Sequence, residues 1–195
     1  MKAYLVASSY IDHDHPEVKN LAMVLASGIA EDDDIAKKCF EWVRDNIKHS
    51  ADYKLNPTTC KASDVLKHKT GYCFAKSHLL AALLRANQIP AGLCYQRLSI
   101  NDVGAPYSLH GLNAVYLKNT GWYRIDARGN KAGVNAQFSP PKEQLAYPIN
   151  LPEEADLPEI WSEPLAVVIS LLEKYDTYQK VYDNLPDIEL VQYKK

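Results

Sequence analysis

The 195-residue chain lacks paired cysteines. Cys39, Cys60, Cys73 and Cys94 stand far apart, with no C-x-x-C among them. That spacing speaks against a zinc ribbon and against a thioredoxin-type site. Two disulfides are arithmetically possible, but the chain is large for a disulfide scaffold, so reduced thiols are expected. A surplus of positive charge is also missing. The net charge is −2, and no long Lys/Arg run occurs. Nucleic acid and anionic lipid surfaces both need clustered cations, so neither is expected as a partner. There is no long apolar run either. The longest, Leu165 to Leu172, is interrupted by Ser170 and falls far short of the roughly 20 residues that cross a bilayer. The apolar part of Met1–Asp12 is too short and interrupted for a secretory signal. A cytoplasmic protein without a membrane partner is therefore expected. No internal repeat or low-complexity segment is visible.

What is present is an ordinary globular balance, 47% hydrophobic and 24% charged, with enough chain for one well-filled domain. Residues 1–12 read as an extended arm. Asp14-His15-Pro16-Glu17 opens a helix, with Asp14 and Glu17 spaced as a capping box. Val18, Leu21, Ala22 and Leu25 form its apolar face, and Gly28 is placed to stop it. Glu31-Asp32-Asp33-Asp34 has the look of a metal cluster. It also precedes the helical face Ile35, Cys39, Trp42, Val43 and Ile47, and acidic residues favour a helix start, so capping is the expected role. His13 and His15 form an H-x-H pair that fits a helix-entry loop better than a metal site. Asn56-Pro57 marks a turn. Ser63 is placed to cap a short helix, and Lys69-Thr70-Gly71 to turn the chain into the next one.

That next stretch, Gly71 to Ala86, starts with a single cysteine and continues apolar over most of a helical circumference. Such a helix belongs in the middle of a domain. A cysteine in its first turn meets unpaired N–H groups and a partial positive charge, both of which favour a thiolate. After Pro90 the period changes to that of strands: Leu93–Leu98, Leu109–Leu117 and Trp122–Asp126, the last two joined by Lys118-Asn119-Thr120-Gly121. Helices first and antiparallel strands after make an α+β fold. From Phe138 the prolines become frequent, which predicts an extended wrap. A helix starting at Ser162-Glu163-Pro164 and a last segment around Tyr175–Tyr182 follow it.

Cys73, His110 and Asp126 fall in three different elements. Cysteine catalysis needs a nucleophilic sulfur, an imidazole that moves the proton, and a group that fixes the ring. His110 and Asp126 lie at neighbouring ends of one hairpin, and whether they meet depends on its register. If Leu117 pairs with Gly121, Asp126 lies opposite Leu112 and on the face of His110. A slip of one residue turns it away. Each residue also has a structural reading: Cys73 as a buried small hydrophobe, His110 as a strand residue, Asp126 as a turn cap. His78 is a rival base, but it sits on another face of the cysteine helix. Tyr72 borders the sulfur and is a candidate for the substrate groove, or for packing.

These residues resemble a known family. Gly71-Tyr72-Cys73 with its apolar helix, Arg85-Ala86-Asn87-Gln88-Ile89-Pro90-Ala91, the strand from His110, and Trp122-Tyr123-Arg124-Ile125-Asp126-Ala127 are similar to the transglutaminase-like superfamily. Within it they resemble most the bacterial, single-domain members of cysteine-protease type. The resemblance is clearest from about Ile35 to Asn130. It implies a papain-like fold, a central cysteine helix packed on an antiparallel sheet, and a Cys-His-Asp triad mapping onto Cys73, His110 and Asp126. The chain departs from many relatives at Gly111-Leu112-Asn113-Ala114, where they carry an aromatic and an acidic residue. It departs again at Ala127-Arg128, where they carry proline and threonine. The calcium-binding signature of the large animal transglutaminases is missing, so calcium is not implied.

The sequence thus predicts one transglutaminase-like domain over 1–195, with a motif core of about 35–130 and a wrap and helix over 138–195. The expected activity is acyl transfer from a peptide, a protein or a small amide through a Cys73 thioester, with no cofactor and no metal. The competing expectation is a binding or scaffold domain that keeps the fold without catalysis.

Overall fold

Residues 1–188 are described in the computed structural model. The N-terminal arm is not extended throughout: Lys2–Tyr4 form a 3-10 turn. Helix α1 (Pro16–Ala26) has His15, not Asp14, at its N-cap, and no side chain caps it, so the expected capping box does not form. Gly28 follows at φ +75°. Helix α2 (Asp32–Asn46) carries Asp32, Asp33 and Asp34 in its first turn and buries Ile35, Cys39 and Val43. The acidic run therefore lies where the helix dipole favours negative charge.

The polar stretch that follows holds more order than its sequence suggests. Strand β1 (Lys48–His49) leads into the short helix α3 (Ser50–Tyr53). Helix α4 (Ala62–His68) starts one residue before Ser63. The Ser63 N–H donates to Asp12 of the N-terminal arm at 3.0 Å, so the cap comes from a distant residue. Strand β2 (Thr70–Gly71) then pairs in parallel with β1, His49 opposite Gly71.

Helix α5 (Cys73–Ala86) is buried along its length from Cys73 to Arg85. Phe74, Leu79, Leu80, Leu83 and Leu84 are all within 1% of fully buried, each gaining roughly 1.5–3 kcal/mol of transfer free energy. It packs against α1, α2 and α4 on one side and against β3 (Ala91–Ser99) and β4 (Tyr107–Leu117) on the other. The main sheet has the order β5-β4-β3-β6, with β5 at Gly121–Ile125 and β6 at Ala155–Asp156. Its pairs are antiparallel. β6 comes from the proline-rich wrap, which also lays Leu145 and Ile160 over Leu112 and Ala114 on the sheet's second face. Helices α6 (Ala166–Lys174) and α7 (Tyr178–Tyr182) close the described chain. Among the described residues no helix is long and apolar enough to cross a membrane.

Candidate active site

The β4–β5 hairpin adopts the register with Leu117 opposite Gly121 and Asn113 opposite Ile125. Strand alternation then puts His110 and Asp126 on one face, the face covered by the wrap. β4 begins earlier than its sequence suggests, at Tyr107, so His110 lies inside the strand, and Asp126 is the first residue after β5. His110 Nε2 lies 2.8 Å from Asp126 Oδ2. Two backbone groups hold the carboxylate as well. Oδ1 accepts the Arg128 N–H at 3.0 Å, and Oδ2 also accepts the Ala146 N–H at 3.1 Å. The Tyr147 ring meets the His110 ring edge-on at 5.1 Å between centroids.

Cys73 is the first residue of α5, so its own N–H belongs to the unpaired donors of the helix start. Its sulfur lies at the outer edge of β4, beyond the end of β5. Odd-numbered residues of β4 point their N–H groups to that edge, and Gly111 N–H donates to Cys73 Sγ at 3.4 Å. A Cβ on Gly111 would stand 2.8 Å from Phe74 Cδ1 and 3.1 Å from Phe74 Cα. Glycine here is what lets the strand approach the helix start so closely. His110 and Cys73 line the same cleft, and the Cys73 side chain is near enough to help raise the imidazole pKa. With Nε2 engaged by Asp126, Nδ1 is the ring nitrogen left for the sulfur.

The charges are arranged consistently. Burial disfavours the His110 cation, but the Asp126 and Cys73 side chains outweigh it and raise the imidazole pKa to about 10. Burial likewise opposes ionisation of Asp126, yet His110 and the two backbone N–H groups hold it below the ordinary carboxylate range. Burial pushes the Cys39, Cys60 and Cys94 thiols up to about 12. The rival base His78 is fully enclosed, with Nδ1 2.7 Å from the Cys60 carbonyl oxygen and its pKa pushed by burial down to about 4.

A cleft of about 900 Å³ opens onto Cys73 and His110 and is also lined by Tyr72, His49, Arg128 and Tyr147. Tyr72 does border it, but its hydroxyl is engaged, donating to the Tyr178 carbonyl at 2.6 Å. Sequence reading missed a layer of support. Asp52 accepts from Arg128 at 2.9 Å and from Lys131 at 2.8 Å, and it stands 3.8 Å from His49 Nδ1. Gly111, Ala146 and Tyr147 were missed as well. No motif marks them, because two act through backbone N–H groups and the third through a ring edge.

A family model described as the transglutaminase-like superfamily matches residues 19–127, more than half of the chain. A search of the curated proteins gave no match. Among solved structures, a candidate cysteine protease from Cytophaga hutchinsonii superposes with a TM-score of 0.52 at 22% identity, over 64% of this chain and 40% of that one. The periplasmic domain of TgpA from Pseudomonas aeruginosa, bound to ethylmercury, gives 0.49 at 16% identity, over 65% and 47%. This chain therefore spans less than half the length of either solved chain. The first likeness supports the α+β, papain-like core described above. With the matched segment running from α1 through Ala127 and enclosing Cys73, His110 and Asp126, the chain belongs to the transglutaminase-like superfamily.

Proposed function

We propose that this protein is a cysteine-dependent acyl-transfer enzyme acting on an amide bond, with Cys73 as nucleophile, His110 as proton carrier and Asp126 as the group that orients the ring. The observation that carries this reading is the His110–Asp126 pair, Nε2 2.8 Å from the carboxylate, opening with Cys73 onto one cleft. The helix start and the imidazolium stabilise a thiolate, which attacks the carbonyl carbon. The tetrahedral oxyanion is within the province of the Cys73 N–H. As the intermediate collapses, the C–N bond breaks, His110 gives its proton to the departing amine, and a thioester remains. Water, deprotonated by His110, then yields the acid and the free thiol; an amine in its place yields a new amide. The acyl donor is a peptide, a protein segment or a small amide. The four free thiols favour a reducing, cytoplasmic setting.

Iodoacetamide near neutral pH tests the reading. Cys73 is expected to label much faster than Cys39, Cys60 and Cys94, and His110→Ala to slow it by about tenfold or more. Equal, slow labelling of all four thiols would refute the nucleophile. Ammonia release from a carboxamide substrate without amine incorporation would identify hydrolysis as the second half-reaction.

A further inference from the structure

The segment from Asp176 to Ile188 runs along the Cys73 cleft. Its first part is tied down at several points. The Asp176 carbonyl accepts the Thr58 N–H at 3.2 Å, Asn56 Oδ1 accepts the Tyr178 N–H at 2.8 Å, and Tyr72 donates to the Tyr178 carbonyl. Val181 is fully buried. Tyr178, Gln179, Tyr182 and Leu185 form part of the cleft wall. With the strap in place Cys73 is only 7% exposed and His110 only 6%.

The second part lies on the edge of β4. β5 pairs with β4 only from Asn113 to Leu117, so the outward N–H groups of Leu109 and Gly111 have no strand beside them. Gly111 N–H points at Cys73 Sγ, and Leu109 N–H donates to the Pro186 carbonyl at 2.8 Å. Two residues of strand span about 7 Å, so Pro186 occupies the next backbone acceptor position along the edge from the sulfur. An open strand edge is a ready template for another extended segment. Beyond that point the strap is held by the partly buried Ile188 against the core and by an ion pair, Arg97 to Asp187 at 2.6 and 2.7 Å, on a partly exposed surface, and such pairs are weak.

We propose that residues 183–188 occupy the groove that an extended acyl-donor peptide takes, so that the substrate binds by displacing them from β4 and offering its own backbone carbonyl to Leu109 N–H. Leu185 precedes Pro186 and lines the cleft, so the subsite it fills suits an aliphatic side chain. This rests on Cys73 being the nucleophile.

Asp187→Lys sets like charge against Arg97 and loosens the strap without touching the Cys73–His110–Asp126 group. The readout is the ratio of Cys73 labelling rates with a bulky reagent, fluorescein maleimide, and with iodoacetamide. Amide exchange at Leu109 is followed alongside. The ratio is expected to rise at least about fivefold as Leu109 exchange accelerates. Excess blocked peptide of sequence Asp-Asn-Leu-Pro-Asp-Ile is expected to return the ratio toward the wild-type value. An unchanged ratio with faster Leu109 exchange overturns the proposal, and so does a peptide without effect. If Asp187→Lys leaves the exchange unchanged, Asn56→Ala is added to release the other end. A Leu109 amide still protected in that double variant means the strap does not leave, which also overturns the proposal. The ratio reports access rather than reactivity. Failure of the nucleophile reading is seen separately, in wild-type Cys73 labelling no faster than Cys39.

Discussion

His110 holds its proton because of its neighbours. A free imidazole loses it near pH 6.5, whereas this ring keeps it to about pH 10, against the cost of burial, because Asp126 and Cys73 lie beside it. A proton bound more tightly in the folded chain stabilises the fold. That contribution is complete below about pH 6.5, where the unfolded chain is also protonated, and is lost as pH rises toward about 10. Asp126 acts in the opposite sense. Its depressed pKa stabilises the fold above the ordinary carboxylate range, near pH 4, and this is lost on acidification. Asp126→Asn keeps the shape and removes the charge. It should therefore lower the melting temperature most between about pH 4 and 6.5, with the gap to wild type narrowing steadily toward pH 10. Thermal melts at three pH values check this, and a gap that widens on alkalinisation would contradict the ion pair. The same variant should slow Cys73 alkylation while leaving the other three thiols unchanged.

The contact between α5 and β4 brings sulfur and imidazole together, and two β4 residues adapt the strand to it. Gly111 admits Phe74 at a distance no Cβ tolerates. Asn113, fully buried, donates one amide N–H to the Ser77 carbonyl of α5 at 2.9 Å and the other to the Gly92 carbonyl of β3 at 3.2 Å. Gly111→Ala should cost about 1–3 kcal/mol, the usual penalty of overpacking. Urea unfolding would measure it. Because the strand must back away from the helix start, Cys73 alkylation should fall as well. Normal alkylation at reduced stability would show that the Gly111 N–H contact does not govern the thiol. Lys76, one turn along α5 and fully buried, donates to the Arg44 and Ile47 carbonyls at the end of α2. This bond fixes α5 from the side opposite the sheet.

Three distant segments are gathered on α5 by one buried cation, Arg85. Arg85 is 0% exposed and donates to the Val6 carbonyl at 2.9 Å, to the Ala91 carbonyl at 2.9 and 3.1 Å, and to the Ser162 carbonyl at 2.6 Å. It thereby joins the N-terminal arm, the start of β3 and the wrap. Burial lowers its pKa only to about 10, so it stays charged at neutral pH. Arg85→Met would leave the buried Ala91 carbonyl without this donor and remove the links to the Val6 and Ser162 carbonyls, which lie nearer solvent. A loss of about 1–3 kcal/mol in urea unfolding is expected, the penalty of one desolvated unpaired group. Faster amide exchange in residues 1–12 and around Trp161 should accompany it, since both segments lose an anchor. An unchanged stability would mean that the carbonyls find water instead.

The sequence by itself determined the helix with Cys73 at its first turn, the strands that follow, and the residues able to do cysteine chemistry. Those features are local: apolar periodicity, turn residues and the chemistry of single side chains. It also narrowed the hairpin to two registers, each with a definite consequence for Asp126. Which register holds was decided by tertiary packing, because only one puts Asn113, Val115 and Leu117 against the α5 side while Asp126 faces the wrap. Capping was misread for the same reason. Asp12 caps α4 from a distant arm, and Asp14 caps nothing. The Ala146 N–H on Asp126, the Gly111 N–H on the sulfur and the Pro186 carbonyl on β4 are backbone groups that every residue but proline, or every residue, carries alike. No side-chain pattern encodes them. They exist as parts of a site only after the wrap and the strap have been folded against the sheet.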